Sequence, residues 1–123
     1  MSQREEFHKL DDESDGLRRE LAPGLNTRIF AGEHVMLSVV TIAPNAEGTV
    51  HHHVEEQWGL MLEGSAMRFQ GGEEIAVAKG DFWRTPSNVP HTLKAGPQGA
   101  RVLDIFSPPR EAYRKAGTGF GQS

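Results

Sequence analysis

The sequence predicts an all-β domain, a sandwich or small barrel of short strands. Three observations predict it. About ten runs rich in Val, Ile, Leu, Phe and Thr follow one another along the 123 residues. Fourteen glycines and seven prolines fall between them, as tight turns require. No apolar pattern at helical period runs long enough to make the crossover helix of a βαβ unit.

The elements follow in order. Residues 1–16 are charged, end in "DDESDG", and read as a flexible arm. Strands are expected over 17–21, 26–32 and 35–42, where "VMLSVVTI" is β-branched and apolar, and "APNAEGT" (43–49) is a turn. Further short strands are expected at 51–53, 55–62, 65–70, 73–78, 81–86, 90–95 and 100–106. Gly64, Gly71-Gly72 and Lys79-Gly80 punctuate these runs as hairpin turns. A short helix is expected after Pro109, then a flexible tail over 116–123. Residues 17–115 thus form one domain, and neither a repeat nor a second domain is visible.

Composition narrows the function. Thirteen basic and seventeen acidic residues give a net charge of −4, which argues against nucleic acid or an anionic membrane as partner. An anionic small molecule is not excluded, because it responds to local groups in a pocket. The chain has no cysteine, hence no disulfide framework and no thiolate metal site. The segment "MSQREEFHKL" lacks the basic-then-apolar pattern of a signal peptide, and no apolar run approaches the ~20 residues that span a bilayer. The expectation is a cytoplasmic protein.

The chemistry concentrates in "GTVHHHVEEQWGLMLEG", residues 48–64. Alternate side chains of a strand share a face, so His51 and His53 converge while His52 points away, toward an outer surface. Gln57 can add an oxygen, and His91, after "PSNVP", could complete the set. Three neutral nitrogens and an amide oxygen suit one divalent first-row metal: Mn, Fe, Co, Ni or Zn. Glu55 and Glu56 read as solvated or supporting neighbours.

The spacing resembles the two motifs of the cupins. The first runs from Asn45 through five residues to His51-x-His53, three residues to Gln57, and six residues to Gly64. The second runs from Gly80 through "DFWRT" to Pro86, then Asn88, two residues, His91, three residues and Ala95. The resemblance implies a double-stranded β-helix, the cupin jelly-roll barrel, with the short C-terminal helix appended. Asn45 and Asn88 stand where the motifs have glycine, and Asn best tolerates positive φ after Gly. Ala95 replaces an asparagine. Gln57 replaces a glutamate, which leaves a bound dication uncompensated by protein charge and therefore a stronger Lewis acid.

A second clue is "ARVLDIFSPPREAY", residues 100–113. Val102, Asp104 and Phe106 share one strand face; Leu103 and Ile105 make an apolar opposite side. If the first face lines the barrel, Asp104 is a buried acid or base with a shifted pKa. The stretch "LDIFSPPREAY" is similar to the C-terminal segment of pectin-degradation cupins related to KdgF. That resemblance implies His51, His53, Gln57 and His91 as ligands, Asp104 as acid/base, and Phe106 and Arg110 as pocket residues, with Arg110 offering a planar fork for a carboxylate. It also implies ring opening and tautomerisation of 4,5-unsaturated uronates through an enol.

Trp58 is expected to narrow the pocket. Met61, Met67 and Trp83 are core, pocket or dimer residues. Arg68, mid-strand in "AMRFQ", reads as an outward surface charge; facing inward, it would draw an anion. The expected protein is a homodimer with a small anionic or oxygen-rich substrate. Two other functions are compatible: a three-histidine iron dioxygenase, and a metabolite-binding cupin without turnover.

Overall fold

The computed structural model of the chain describes residues 6–121. The strands are β1 (Leu17–Ala22), β2 (Leu25–Ala31), β3 (Met36–Ile42), β4 (Glu56–Gln70), β5 (Glu73–Ala78), β6 (Phe82–Thr85), β7 (His91–Ser107) and β8 (Gly117–Thr118). They pair in the order β5-β4-β7-β3-β2-β1-β8, with β6 added to β4. All pairs are antiparallel except β1 with β8. The arrangement is the expected jelly roll. None of the helices among the described residues is long and apolar enough to cross a membrane.

The expected strands are fewer and longer than the glycine spacing suggested. Runs 55–62 and 65–70 are one strand, β4, and runs 90–95 and 100–106 are one strand, β7. Gly64 is therefore not a hairpin turn. It sits at φ +84° inside β4, between register shifts at Met61/Glu63 and Gly64/Ala66. A Cβ there would lie 2.2 Å from the Gly99 carbonyl oxygen. The chain kinks at this point without leaving the sheet, as a bulge does. The kink lets β4 pair with β6 through 57–60 and with β5 through 65–70.

The bulge also reverses side-chain parity. Gln57, Gly59 and Met61 point inward before it, whereas Ala66 and Arg68 point inward after it. In β7, His91, Leu93 and Ala95 are buried before the kink, and Ala100, Val102 and Phe106 after it. The core thus forms inside the barrel from Leu25, Ile29, Met36, Val40, Met61 and Val102, among others. Leu103 and Ile105, the apolar side opposite Asp104, are only half-buried and face outward.

Residues 51–53 form no strand. His51 instead closes an isolated antiparallel bridge with His91, its N–H donating to the His91 carbonyl (3.1 Å) and accepting the reciprocal bond at its own carbonyl (2.9 Å). Asn45 and Asn88 adopt φ of 62° and 65°, the left-handed turns their side chains tolerate.

The ends are tied to the barrel. The first five residues lie outside the described range. Beyond them, the buried Arg28 donates to the Leu10 and Asp12 carbonyls, and Arg101 donates to the Asp11 carboxylate (2.7 Å) and the Leu10 carbonyl (2.6 Å). The expected helix is a single 3-10 turn, Glu111–Arg114, with no side-chain N-cap bond. Where a tail was expected, β8 pairs with β1. Arg19 explains why: its guanidinium donates to the carbonyls of Ala112, Lys115, Thr118 and Gly119. Residues 122–123 of that tail lie outside the described range.

Candidate metal centre

Histidines 51, 53 and 91 meet inside the barrel. Their closest ring nitrogens all lie within 4.8 Å of one another, and the ring centroids are 4.5 Å (51–91), 5.0 Å (53–91) and 5.7 Å (51–53) apart. The His51–His91 bridge sets this geometry by locking the two distant motifs back to back.

The three rings are held alike. Each Nδ1 faces a backbone carbonyl two residues away: Thr49 from His51 (2.8 Å), Glu55 from His53 (3.0 Å) and Val89 from His91 (2.8 Å). A carbonyl can only accept, so each Nδ1 carries the hydrogen and each Nε2 presents a lone pair. This is how second partners orient metal-binding imidazoles.

Burial lowers all three histidine pKa values. His51 falls to about 4, through burial and then the charge of Arg110, against the opposing pull of the Thr49 carbonyl. His91 falls to about 3, through burial and the charge of Arg68. His53 is lowered by burial and by Arg110. At neutral pH the lone pairs are free of protons.

Two atoms show that a cation fits. His91 Nε2 is buried with no hydrogen-bond partner. His53 Nε2 stands 3.0 Å from Gln57 Oε1, and neither atom has a hydrogen to offer the other. The Gln57 amide is oriented by donating to the Asp104 carboxylate, which turns its oxygen toward the imidazoles. Three lone pairs and an amide oxygen converging without a donor form a set that a divalent ion satisfies.

Asp104 lies beside this group, opposite Gly59 of β4 and Ser38 of β3. Burial raises its pKa to about 6, against the opposing effects of Arg68, the Gln57 bond and Arg110. It is a cavity-lining carboxyl, as expected if its face turned inward. Phe106 is fully enclosed and edges onto His53 at 5.6 Å.

The cavity itself is about 50 Å³ and is lined by His51, Gln57, His91, Asp104 and Phe106 together with Arg68 and Phe120. That is room for a few water molecules. Phe120 stacks on His51, with centroids 4.3 Å apart and planes 28° apart. A Cβ on Gly48 would come within 2.9 Å of its ring, so a glycine is what admits the phenyl group here.

Three expected placements change. Trp58 does not narrow the cavity; it is on the outer sheet face, 42% exposed, because Gln57 beside it points in. Arg110 is not a cavity-lining fork. It is buried behind Phe106, over the Tyr113 ring at 4.3 Å, with Nε 3.7 Å from the Glu55 carboxylate and Nη2 donating to the Phe120 carbonyl (2.7 Å). Arg68 is not a surface charge; it is 5% exposed and lines the cavity. Counting by twos from Gln57 puts Arg68 outside, and only the parity switch at Gly64 turns it in. Glu55 lies against His53 and Arg110, whereas Glu56 pairs with Arg84 on the surface. His52 is exposed. Phe120 and Thr85 escaped the sequence reading, since neither belongs to a recurring motif.

The comparisons with known proteins agree with this fold. The sequence profile of the cupin domain matches residues 38–106. Oxalate decarboxylase OxdC of Bacillus subtilis is 36% identical over 70 residues, covering 53% of this chain and 18% of that protein; the chain therefore spans under a fifth of that relative. Among solved structures, an RmlC-like cupin from Shewanella frigidimarina superposes with a TM-score of 0.74 at 24% identity, over 85% of this chain and 95% of the other. KdgF from a Halomonas species gives 0.73 at 24% identity, over 85% and 97%. A variant of the Bacillus subtilis oxalate decarboxylase gives 0.69 at 29% identity, over 77% and 28%.

Proposed function

The chain belongs to the cupin family, and on that premise we propose that it is a metal-dependent enzyme acting on a small, oxygen-rich, anionic substrate. The observation that carries the proposal is the donor-free convergence of His51, His53, His91 and Gln57 beside the raised carboxyl of Asp104. Mn, Fe, Co, Ni and Zn all match this nitrogen-rich set. When bound, such an ion supplies Lewis acidity toward a developing enolate oxygen.

The remaining work falls to the protein. Asp104, its pKa raised to about 6, takes the proton from the hemiacetal hydroxyl as the ring C–O bond breaks and delivers a proton to the enol carbon, which becomes the CH2 of the keto form. The Gln57 amide holds the carboxylate in place during both transfers. Phe106 packs the wall against His53 and keeps water from the ring edge. The preferred reaction is the linearisation of an unsaturated uronate, supported by the tail "LDIFSPPREAY" and by the superposition on KdgF. Because the cavity is about 50 Å³, a sugar acid enters only with displacement of Phe120.

A second reading is favoured by that same small volume and by the likeness to oxalate decarboxylase: a substrate of the size of a short dicarboxylate. Both readings share the cation and Asp104.

The outer face supports a homodimer. Leu37, Ile105 and Trp58 form one row across β3, β7 and β4, with Leu37, Trp58 and nearby Phe82 exposed. A second copy laid on this row would cover them.

The test begins with metal analysis of the purified protein. Metal-loaded protein is then incubated with unsaturated galacturonate, with loss of the conjugated double-bond absorbance as readout. One ion per chain and a metal-dependent loss of absorbance are expected. Absence of bound metal from every reconstitution would overturn the proposal; metal without turnover of the uronate would move it to the dicarboxylate.

A further inference from the structure

Arg68 is placed unlike the other buried arginines. Arg28 is held by backbone carbonyls, and Arg110 by Glu55 and the Phe120 carbonyl. Arg68 touches neither kind of group among the described residues. Its Nη2 donates to the Thr85 hydroxyl (2.8 Å) and its Nε to Gln70 Oε1 (3.2 Å), while Thr85 itself donates to the same Gln70 oxygen (2.7 Å). Thr85 is 1% exposed. Thr85 and Gln70 thus form an uncharged bracket around the guanidinium, which lies 5.6 Å from the centre of the Trp83 ring.

A guanidinium offers five hydrogens in a planar fork. Sequestering one without a counter-ion is costly, and an apolar side chain would fill the space more stably. No carboxylate lies within 4.0 Å of Arg68 among the described residues, although Asp104 is close enough to feel its charge. Arg68 lines the same cavity as His51, Gln57, His91 and Asp104, and its Nη1 makes no hydrogen bond to the protein among the described residues.

We infer that Arg68, braced by Thr85 and Gln70, is the carboxylate-binding residue of this cavity, fixing an anionic end of the ligand while its other oxygens reach the histidine cluster. The inference rests on the cavity being the substrate site, and it gives Arg68 the role that the sequence had suggested for Arg110. It restricts ligands to those with a carboxylate one short spacer from a metal-binding oxygen. Acids lacking a second oxygen function, and neutral sugars, fall outside the class.

Malonate tests this by titration calorimetry, with acetohydroxamate as a metal-binding probe that lacks a carboxylate. In metal-loaded protein, Arg68→Gln should weaken malonate about 10- to 100-fold while leaving acetohydroxamate affinity and metal content unchanged. Arg68→Lys, which keeps the charge and loses the fork, should fall between the two and serves if the glutamine variant does not fold. Equal malonate affinity in the variants, or equal loss of both probes, overturns the inference. If the wild-type protein holds no metal, the metal-centre reading fails on its own. Malonate-induced thermal shifts in metal-free protein then still decide the role of Arg68: stabilisation lost in Arg68→Gln supports it, and stabilisation retained refutes it.

Discussion

His53 Nε2 and Gln57 Oε1 face each other at 3.0 Å, two acceptors with no proton between them. The Glu55 carbonyl fixes the hydrogen on the far side of the imidazole, and Asp104 fixes the amide. Two acceptors placed this way suit the pair of metal ligands proposed above better than a hydrogen bond.

Gln57→Glu puts a charge into this pair. The variant should bind a divalent ion about tenfold more tightly, because a carboxylate offsets the dication. It should also raise the Asp104 pKa further, since like charges side by side resist joint ionisation. Metal titration, together with a shift of the acid limb of the pH–rate profile to higher pH, checks both. Weaker metal binding in the variant contradicts the assignment of Gln57.

Asp104→Asn should retain metal and lose activity by about 10²- to 10⁴-fold, the usual contribution of a positioned acid/base. In wild type, activity should rise with pH through a value no higher than about 6, since a bound cation favours the carboxylate. Turnover preserved in the asparagine variant would remove Asp104 from the chemistry.

Phe120→Ala uncovers His51. An aromatic contact of this kind contributes about 0.5–1.5 kcal/mol, so the melting temperature should drop by a few degrees. Removal of metal by a chelator should become several-fold faster, measured by stopped-flow with a chromogenic chelator. An unchanged rate would mean that ions reach the centre by another path.

Metal-free protein should lose stability in acid. His51 and His91 have folded pKa values lowered to about 4 and about 3. Their contribution is complete above the unfolded value near 6.5 and is lost as pH falls from there toward those values. Asp104 works the other way: raised from 3.8 to about 6, it favours the folded state at low pH and gives up that contribution as pH rises through 6. The histidines outnumber it, so melting temperatures should fall steadily from pH 6.5 to pH 4.5. A flat or rising series contradicts this balance.

Gly64→Ala should be among the most damaging small substitutions. The position combines φ +84° with a 2.2 Å approach to the Gly99 oxygen, and a loss of at least ~2 kcal/mol is expected in denaturant melts. Gly72→Ala has the strained φ but nothing within 4 Å and should cost about 1 kcal/mol.

The sequence by itself determined the β class, the two motifs and the ligand candidates, because the spacing of His51, His53, Gln57 and His91 and the turn chemistry of Asn45 and Asn88 are local properties. Trp58 was also within reach: on a strand, the neighbour of an inward glutamine must point out. Other features were decided only by the tertiary structure. Whether Gly64 ends a strand or bends it depends on the Gly99 backbone packed against it, and that one bulge sets the parity of everything after it. Arg68 consequently turned in, against a count by twos. Arg110 was displaced from the cavity by Phe106 and Tyr113, and the tail was drawn over His51 by carbonyls that Arg19 collects from a hundred residues away. Alternation along a chain shows which side chains share a face, but only the pairing of distant strands decides which face encloses the cavity.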